Sequence, residues 1–227
     1  MALDINNIVR VPFPDNQFIK EVTAKKQIYL HHTAGNSSGV ATASYWAKTN
    51  ERVATAFIIS GKVKPNEKEK NGSIVQCFGS KYWGYHLGLQ KERFIENKLP
   101  YISLDKISVG IEVCNWGYVN KQADGTFKNY VGGLVDKADV IELEKPYKNH
   151  KFWHNYTDEQ INNLKELLLY LCDKYGIDKS YNEDIWGINL RALKGESGIY
   201  THNSIRKDKS DIYPHPKMIE MLKSLKG

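Results

Sequence analysis

The chain has 227 residues, 41% of them hydrophobic and 11% aromatic, and its 32 Lys and Arg against 26 Asp and Glu leave a formal charge of +6. That is enough apolar material for one sizeable core, but no run of roughly 18 apolar residues offers a membrane span, and the start MALDINNIVRVPFPDN lacks the basic and apolar regions of a Sec signal peptide. Cys77, Cys114 and Cys172 are odd in number and outside any CxxC, which argues against a disulfide framework or a cysteine-rich zinc knuckle; the basic excess suits an acidic partner (cell-wall polymer, membrane surface or nucleic acid) or an ordinary solvated surface.

Residues 1 to about 26 read as a leader held extended by Pro12 and Pro14. In QIYLHHTAG, Gln27 to Gly35, the residues Ile28, Tyr29 and Leu30 favour a half-buried strand and the Gly/Ser/Asn run beyond is a loop, so His31 falls at the carboxyl end of a buried strand. Alternation sends His31 and His32 to opposite faces, so at most one of them faces a given pocket. Val40 to Asn50 has near-helical apolar spacing. Val53 to Ile59 and Ser73 to Phe78 read as strands, with KPNEKEKNG between them as a solvated hairpin tip.

Tyr82 to Gly88, YWGYHLG, sets three aromatics around His86 between glycines, a segment fit to stack on a flat or sugar-like face or to form a buried aromatic knot. Ile107 to Asn115 is a strand, apolar except for Glu112, and a carboxylate there is costly to bury unless paired or used. Residues 117–156 read as an insertion of loops with a hairpin, His150 and His154 being surface residues. Thr157 and Gln160 form a capping box for the clearest helix, which Gly176 ends. The polar loop Thr201 to Pro216 then offers His202, Lys209 and Asp211. A His and an Asp on one loop plus a strand-end His from upstream make a common catalytic zinc set, with a fourth position left for water. Lys209, two residues before Asp211, can lie on the same side of an extended loop and offer a cation to a developing oxyanion.

HHTAG after a strand, YHLG, SVGIEVCN and the late H-x6-K-x-D, in that order from about Lys26 to Met221, together resemble the zinc-dependent N-acetylmuramoyl-L-alanine amidases of the amidase type 2 family, relatives of peptidoglycan recognition proteins. The resemblance implies an α/β fold, a single domain over 1–227 with a central mixed β-sheet flanked by helices and a core at about 26–222. It implies one zinc held by His31, His202 and Asp211, with His32 beside the site and not a ligand. Glu112 is then the base that takes a proton from water and passes it to the leaving amine, and Lys209 stabilises the oxyanion. Tyr82, Trp83, Tyr85 and His86 line the groove for glycan or stem peptide. Thr55 stands where some members carry an assisting Tyr.

The implied bond is the amide between N-acetylmuramic acid and L-alanine, and the implied partner is peptidoglycan or a muropeptide, acted on by a monomer. A chain synthesised in the cytoplasm without a signal peptide fits a bacteriophage endolysin, or a phage-derived enzyme, that acts on the cell wall. A cytosolic muropeptide-recycling amidase and a non-catalytic peptidoglycan-binding module are the alternatives. Nothing but the basic excess suggests nucleic acid.

Overall fold

A computed structural model describes residues 8–35, 37–65 and 68–226. Short runs of β-branched and aromatic residues form a six-stranded sheet from β1 (Val9–Arg10), β2 (Gln27–His32), β3 (Phe57–Ile59), β4 (Ile74–Gln76), β5 (Ser108–Val113) and β11 (Gly198–Thr201), in the order β1-β4-β3-β5-β2-β11. Neighbours are parallel except β3 and β4, which form an antiparallel hairpin, so the sheet is mixed. Both β2 and β5 are buried at every position, as expected of central strands covered on both faces.

The register positions the chemistry. His31 lies opposite Glu112 across the β2–β5 ladder, and two residues back on the same face Tyr29 lies opposite Gly110 on one side and Tyr200 on the other. Helix α1 (Gly39–Trp46) packs on β3 and β4. The short helices α2 (Glu92–Glu96) and α3 (Leu104–Ile107) lead into β5. Helix α4 (Asp158–Tyr175) opens on the Thr157/Gln160 capping box, ends at Gly176 in the left-handed conformation (φ 66°), and buries Ile161, Leu164, Leu168, Leu171 and Cys172. A one-turn helix α5 (Leu190–Leu193) precedes β11, and α6 (Pro216–Lys223) packs on α4.

Three expectations change. The stretch before residue 26 is no leader where it is described: β1 joins the sheet edge, and Phe13 and Phe18 enter the core, Phe18 stacking on Phe78 at 4.8 Å. Two edge residues are too short a strand to show in an alternation pattern; residues 1–7 lie outside the described residues. The charged run before β4 is not wholly solvated either, since Glu69 is buried and accepts hydrogen bonds from Ser38, Val40 and Ser60 at the N-terminus of α1. Asn66 and Glu67 lie outside the described residues. Finally, the segment 117–156 is largely regular: β6 (Val119–Lys121), β7 (Phe127–Asn129) and β8 (Leu134–Val135) form one antiparallel sheet, and β9 (Val140–Tyr147) with β10 (His150–His154) another.

Candidate active site

A central strand and a loop 171 residues further along the chain bring His31, His202 and Asp211 to one point. His31 ends β2; His202 follows β11 in a one-turn helix closed by reciprocal bonds between Thr201 and Ser204; and Asn203 Nδ2 donates to the Asp211 carbonyl at 2.8 Å, holding that loop against the turn. His31 Nδ1 and His202 Nδ1 are 3.1 Å apart and lie 3.2 and 3.0 Å from Asp211 Oδ2. All three are buried or nearly so, and they form a set able to hold a metal ion.

The outward-facing nitrogens settle the tautomers. Ser108 Oγ gives its one proton to the Leu104 carbonyl at 2.7 Å, so it must accept from His86 Nε2 at 3.0 Å. Burial, and after it the neighbouring His31, hold His86 well below its usual pKa, so its ring is neutral and its Nδ1 is an acceptor. His31 Nε2, 3.0 Å away, therefore donates to it. His202 Nε2 faces the Leu87 carbonyl at 2.9 Å and can only donate. Burial pushes His31 down to about 4, so its Nδ1 carries a lone pair at neutral pH. Desolvation works against the Asp211 carboxylate, yet His202 and His31 hold its pKa well below the usual value. His31 Nδ1, His202 Nδ1 and Asp211 Oδ2 thus face one another at hydrogen-bond distance, a donor set able to hold a cation.

These groups sit at the floor of an open cleft of about 510 Å³ that Glu112, Lys209, His32 and Tyr85 also line. Glu112 is 7% exposed, and its Oε2 has no hydrogen-bond partner among the described residues. Burial, and next the charge of Asp211, raise its pKa well above the usual carboxylate value, against which Lys209 acts. His32 packs beside the site with Nδ1 3.4 Å from the Tyr156 hydroxyl, and burial lowers it to about 4.

Three residues expected at the site, Trp83, Tyr82 and Thr55, lie away from the cleft. Trp83 turns inward, where its Nε1 donates to Glu21; Tyr82 packs on Phe18; and Thr55 is fully buried with its hydroxyl bonded to the Phe57 carbonyl. His86 reaches the cleft edge, but both its nitrogens are taken up by His31 and Ser108. Aromatic rings fill a core as readily as a groove, so the YWGYH run alone could not separate Tyr85, which is 46% exposed, from its neighbours. Conversely, Trp46, Arg52 and Arg206 line the cleft without having been singled out. Trp46 read only as part of an amphipathic helix, and the two arginines sit in segments with no periodic signal. No described helix is long and apolar enough to cross a membrane.

The chain matches the family model for N-acetylmuramoyl-L-alanine amidase over residues 22–216. Among solved structures it is similar to a mutant endolysin from Bacillus subtilis, at 18% identity over 100% of both chains with a TM-score of 0.53. It is also similar to the catalytic domain of XlyA (17% identity, 97% of this chain and 99% of that one, TM-score 0.53) and to PlyL (13%, 96% and 97%, TM-score 0.52). These likenesses carry the fold. No curated protein matches the chain. A family match over most of the sequence, on a fold with the same relatives, makes this chain a member of the N-acetylmuramoyl-L-alanine amidases of the amidase type 2 family.

Proposed function

We propose that this amidase works with one zinc ion held by His31, His202 and Asp211, and that it serves as a phage endolysin or phage-derived lytic enzyme: made in the cytoplasm, acting as a monomer, and cleaving the bond between N-acetylmuramic acid and L-alanine in the cell wall. The observation that carries the metal reading is the convergence of three potential ligand atoms, two imidazole nitrogens and a carboxylate oxygen, 3.0–3.2 Å apart. A tetrahedral ion with bonds of about 2.0–2.1 Å has ligands about 3.3 Å apart, close to these separations. When bound, zinc lowers the pKa of a water molecule toward neutrality and polarises the scissile carbonyl.

The residues of the chain supply the remainder. Glu112 lines the cleft with one carboxylate oxygen left without a partner among the described residues, and it takes the proton of the attacking water and returns it to the leaving amine nitrogen. Lys209 Nζ faces the charge that develops on the carbonyl oxygen, an interaction stronger in the transition state than before it. Tyr85, with Trp46 and Arg52 beside it, offers aromatic and cationic surface to the glycan or stem peptide. The endolysin reading is supported by the solved endolysin that shares the fold over the full length of both chains.

The test is zinc content together with release of L-alanine amino termini from purified peptidoglycan, for wild type, Asp211→Ala and Glu112→Gln. The expected result is about one zinc per chain with amine release in the wild type, loss of both in Asp211→Ala, and retained zinc without turnover in Glu112→Gln. A wild type that holds no zinc, or holds it and releases no amine, overturns the reading. Intact sacculi separate the lytic role from recycling: an endolysin opens them, while a recycling amidase cleaves only soluble muropeptides.

A further inference from the structure

The two imidazoles are held from behind by adjacent residues of one loop. His31 Nε2 rests on the side chain of His86, and His202 Nε2 on the carbonyl of Leu87, the next residue. The loop itself is pinned by one atom: Asp105 Oδ1 accepts from the His86 amide at 3.0 Å and from the Leu87 amide at 3.1 Å. Asp105 lies on α3, and the same turn supplies the Leu104 carbonyl that orients Ser108 and, through it, the far nitrogen of the His86 ring. His86 also needs the absence of a side chain beneath it. A Cβ on Gly110 would stand 2.9 Å from His86 Cγ and Nδ1.

We infer that Asp105 is a positioning residue for both histidines at once. By fixing the two amides of the His86–Leu87 loop it sets the partner of each Nε2, and so aims both Nδ1 atoms at the point where Asp211 Oδ2 meets them. Asp105 does not line the cleft; it acts through the two loop amides, and its Oδ1 also lies 3.9 Å from His86 Nε2. The inference rests on the metal reading above for its purpose, but not for its geometry. Groups that orient metal-binding imidazoles from behind are commonly worth 10–100-fold in metal affinity. Here one carboxylate reaches both of them through backbone amides.

The test pairs two measurements on the full chain: the tautomers of His31 and His202 in the metal-free protein, read from nitrogen-15 NMR of labelled histidine, and the zinc dissociation constant by competition with a chromophoric chelator. In the wild type both rings are expected to carry their proton on Nε2 alone. Asp105→Ala is expected to mix the tautomers of both rings and to weaken zinc binding by roughly 10–100-fold. Asp105→Asn keeps an acceptor oxygen in place, and is expected to restore the wild-type tautomers and an affinity within about threefold of wild type. Gly110→Ala crowds the His86 ring and the Thr55 methyl but leaves the Leu87 carbonyl in place, and is expected to disturb His31 and spare His202.

Unchanged tautomers and affinity in Asp105→Ala overturn the inference, as does an equal loss in Asp105→Asn, which would make charge and not the acceptor atom responsible. If Asp105→Ala fails to fold, Asp105→Leu, similar in shape and without an acceptor, decides: unchanged tautomers and affinity there overturn the inference. A wild type that binds no zinc, yet has both rings fixed and loses that order in Asp105→Ala, leaves the inference standing and removes the metal reading.

Discussion

Glu112 is a carboxyl kept short of partners in a strand otherwise built from apolar residues, and both the base role proposed for it and its effect on stability turn on that. Burial, and next the charge of Asp211, raise the pKa of Glu112 in the metal-free chain well above the ordinary value of 4.5. Glu112→Gln should lose on the order of 10²–10⁴ in turnover while keeping its metal, checked by amine release beside zinc content. A carboxyl whose pKa is higher folded than unfolded stabilises the protein below 4.5, and that contribution is lost as pH rises from 4.5 through the folded value. Glutamine is neutral throughout, so the metal-free Glu112→Gln variant should unfold at higher urea than wild type at pH 8, and the gap should close at pH 5.

Helix α6 shows the same linkage with the opposite sign. His215 is its N-cap: Nδ1 accepts from the Lys217 amide, while Nε2 donates to Asn155 Oδ1 at 2.8 Å, tying the helix to the segment after β10. Burial, and then the charge of Lys217, lower its pKa from 6.5 to about 4. The unfolded chain therefore takes up a proton between pH 6.5 and 4 that the folded protein refuses, so this contribution is complete above 6.5 and lost as pH falls. His215→Ala should cost about 1 kcal/mol at neutral pH through the missing cap, and His215→Asn less, because Asn caps well. Between pH 7 and 4.5 the Asn variant should lose less stability than wild type, measured as urea midpoints. Gly117 marks a second such joint. It holds φ at 77°, and a Cβ there would stand 2.8 Å from His32 Nε2, so Gly117→Ala should destabilise by both backbone strain and a clash beside the site, visible as a lower melting temperature.

At the scale of the whole chain, what could be read in one dimension was the anomaly and what could not was the contact. His31 and Glu112 stand out as polar residues closing or interrupting apolar strands, and His202, Lys209 and Asp211 as a set on one loop. Their meeting depends on β2 lying between β5 and β11 in parallel register, which is long-range pairing that no local pattern encodes. The supports behind them, such as the Leu87 carbonyl or the Ser108 hydroxyl, are groups any sequence contains. Strands of two or three residues in 119–135 were too short to alternate, so the segment read as loop. That long-range closure has a thermodynamic consequence. The ion proposed for residues 31, 202 and 211 would favour the folded chain and join a central strand to the loop that follows the edge strand. At free zinc about 1,000-fold above its dissociation constant, folding should gain roughly 4 kcal/mol. At about 2–4 °C per kcal/mol for a domain of this size, the melting temperature should rise by on the order of 10 °C. Thermal melts with zinc and with chelator check this directly: wild type should show the shift, and Asp211→Ala should melt at one temperature in both.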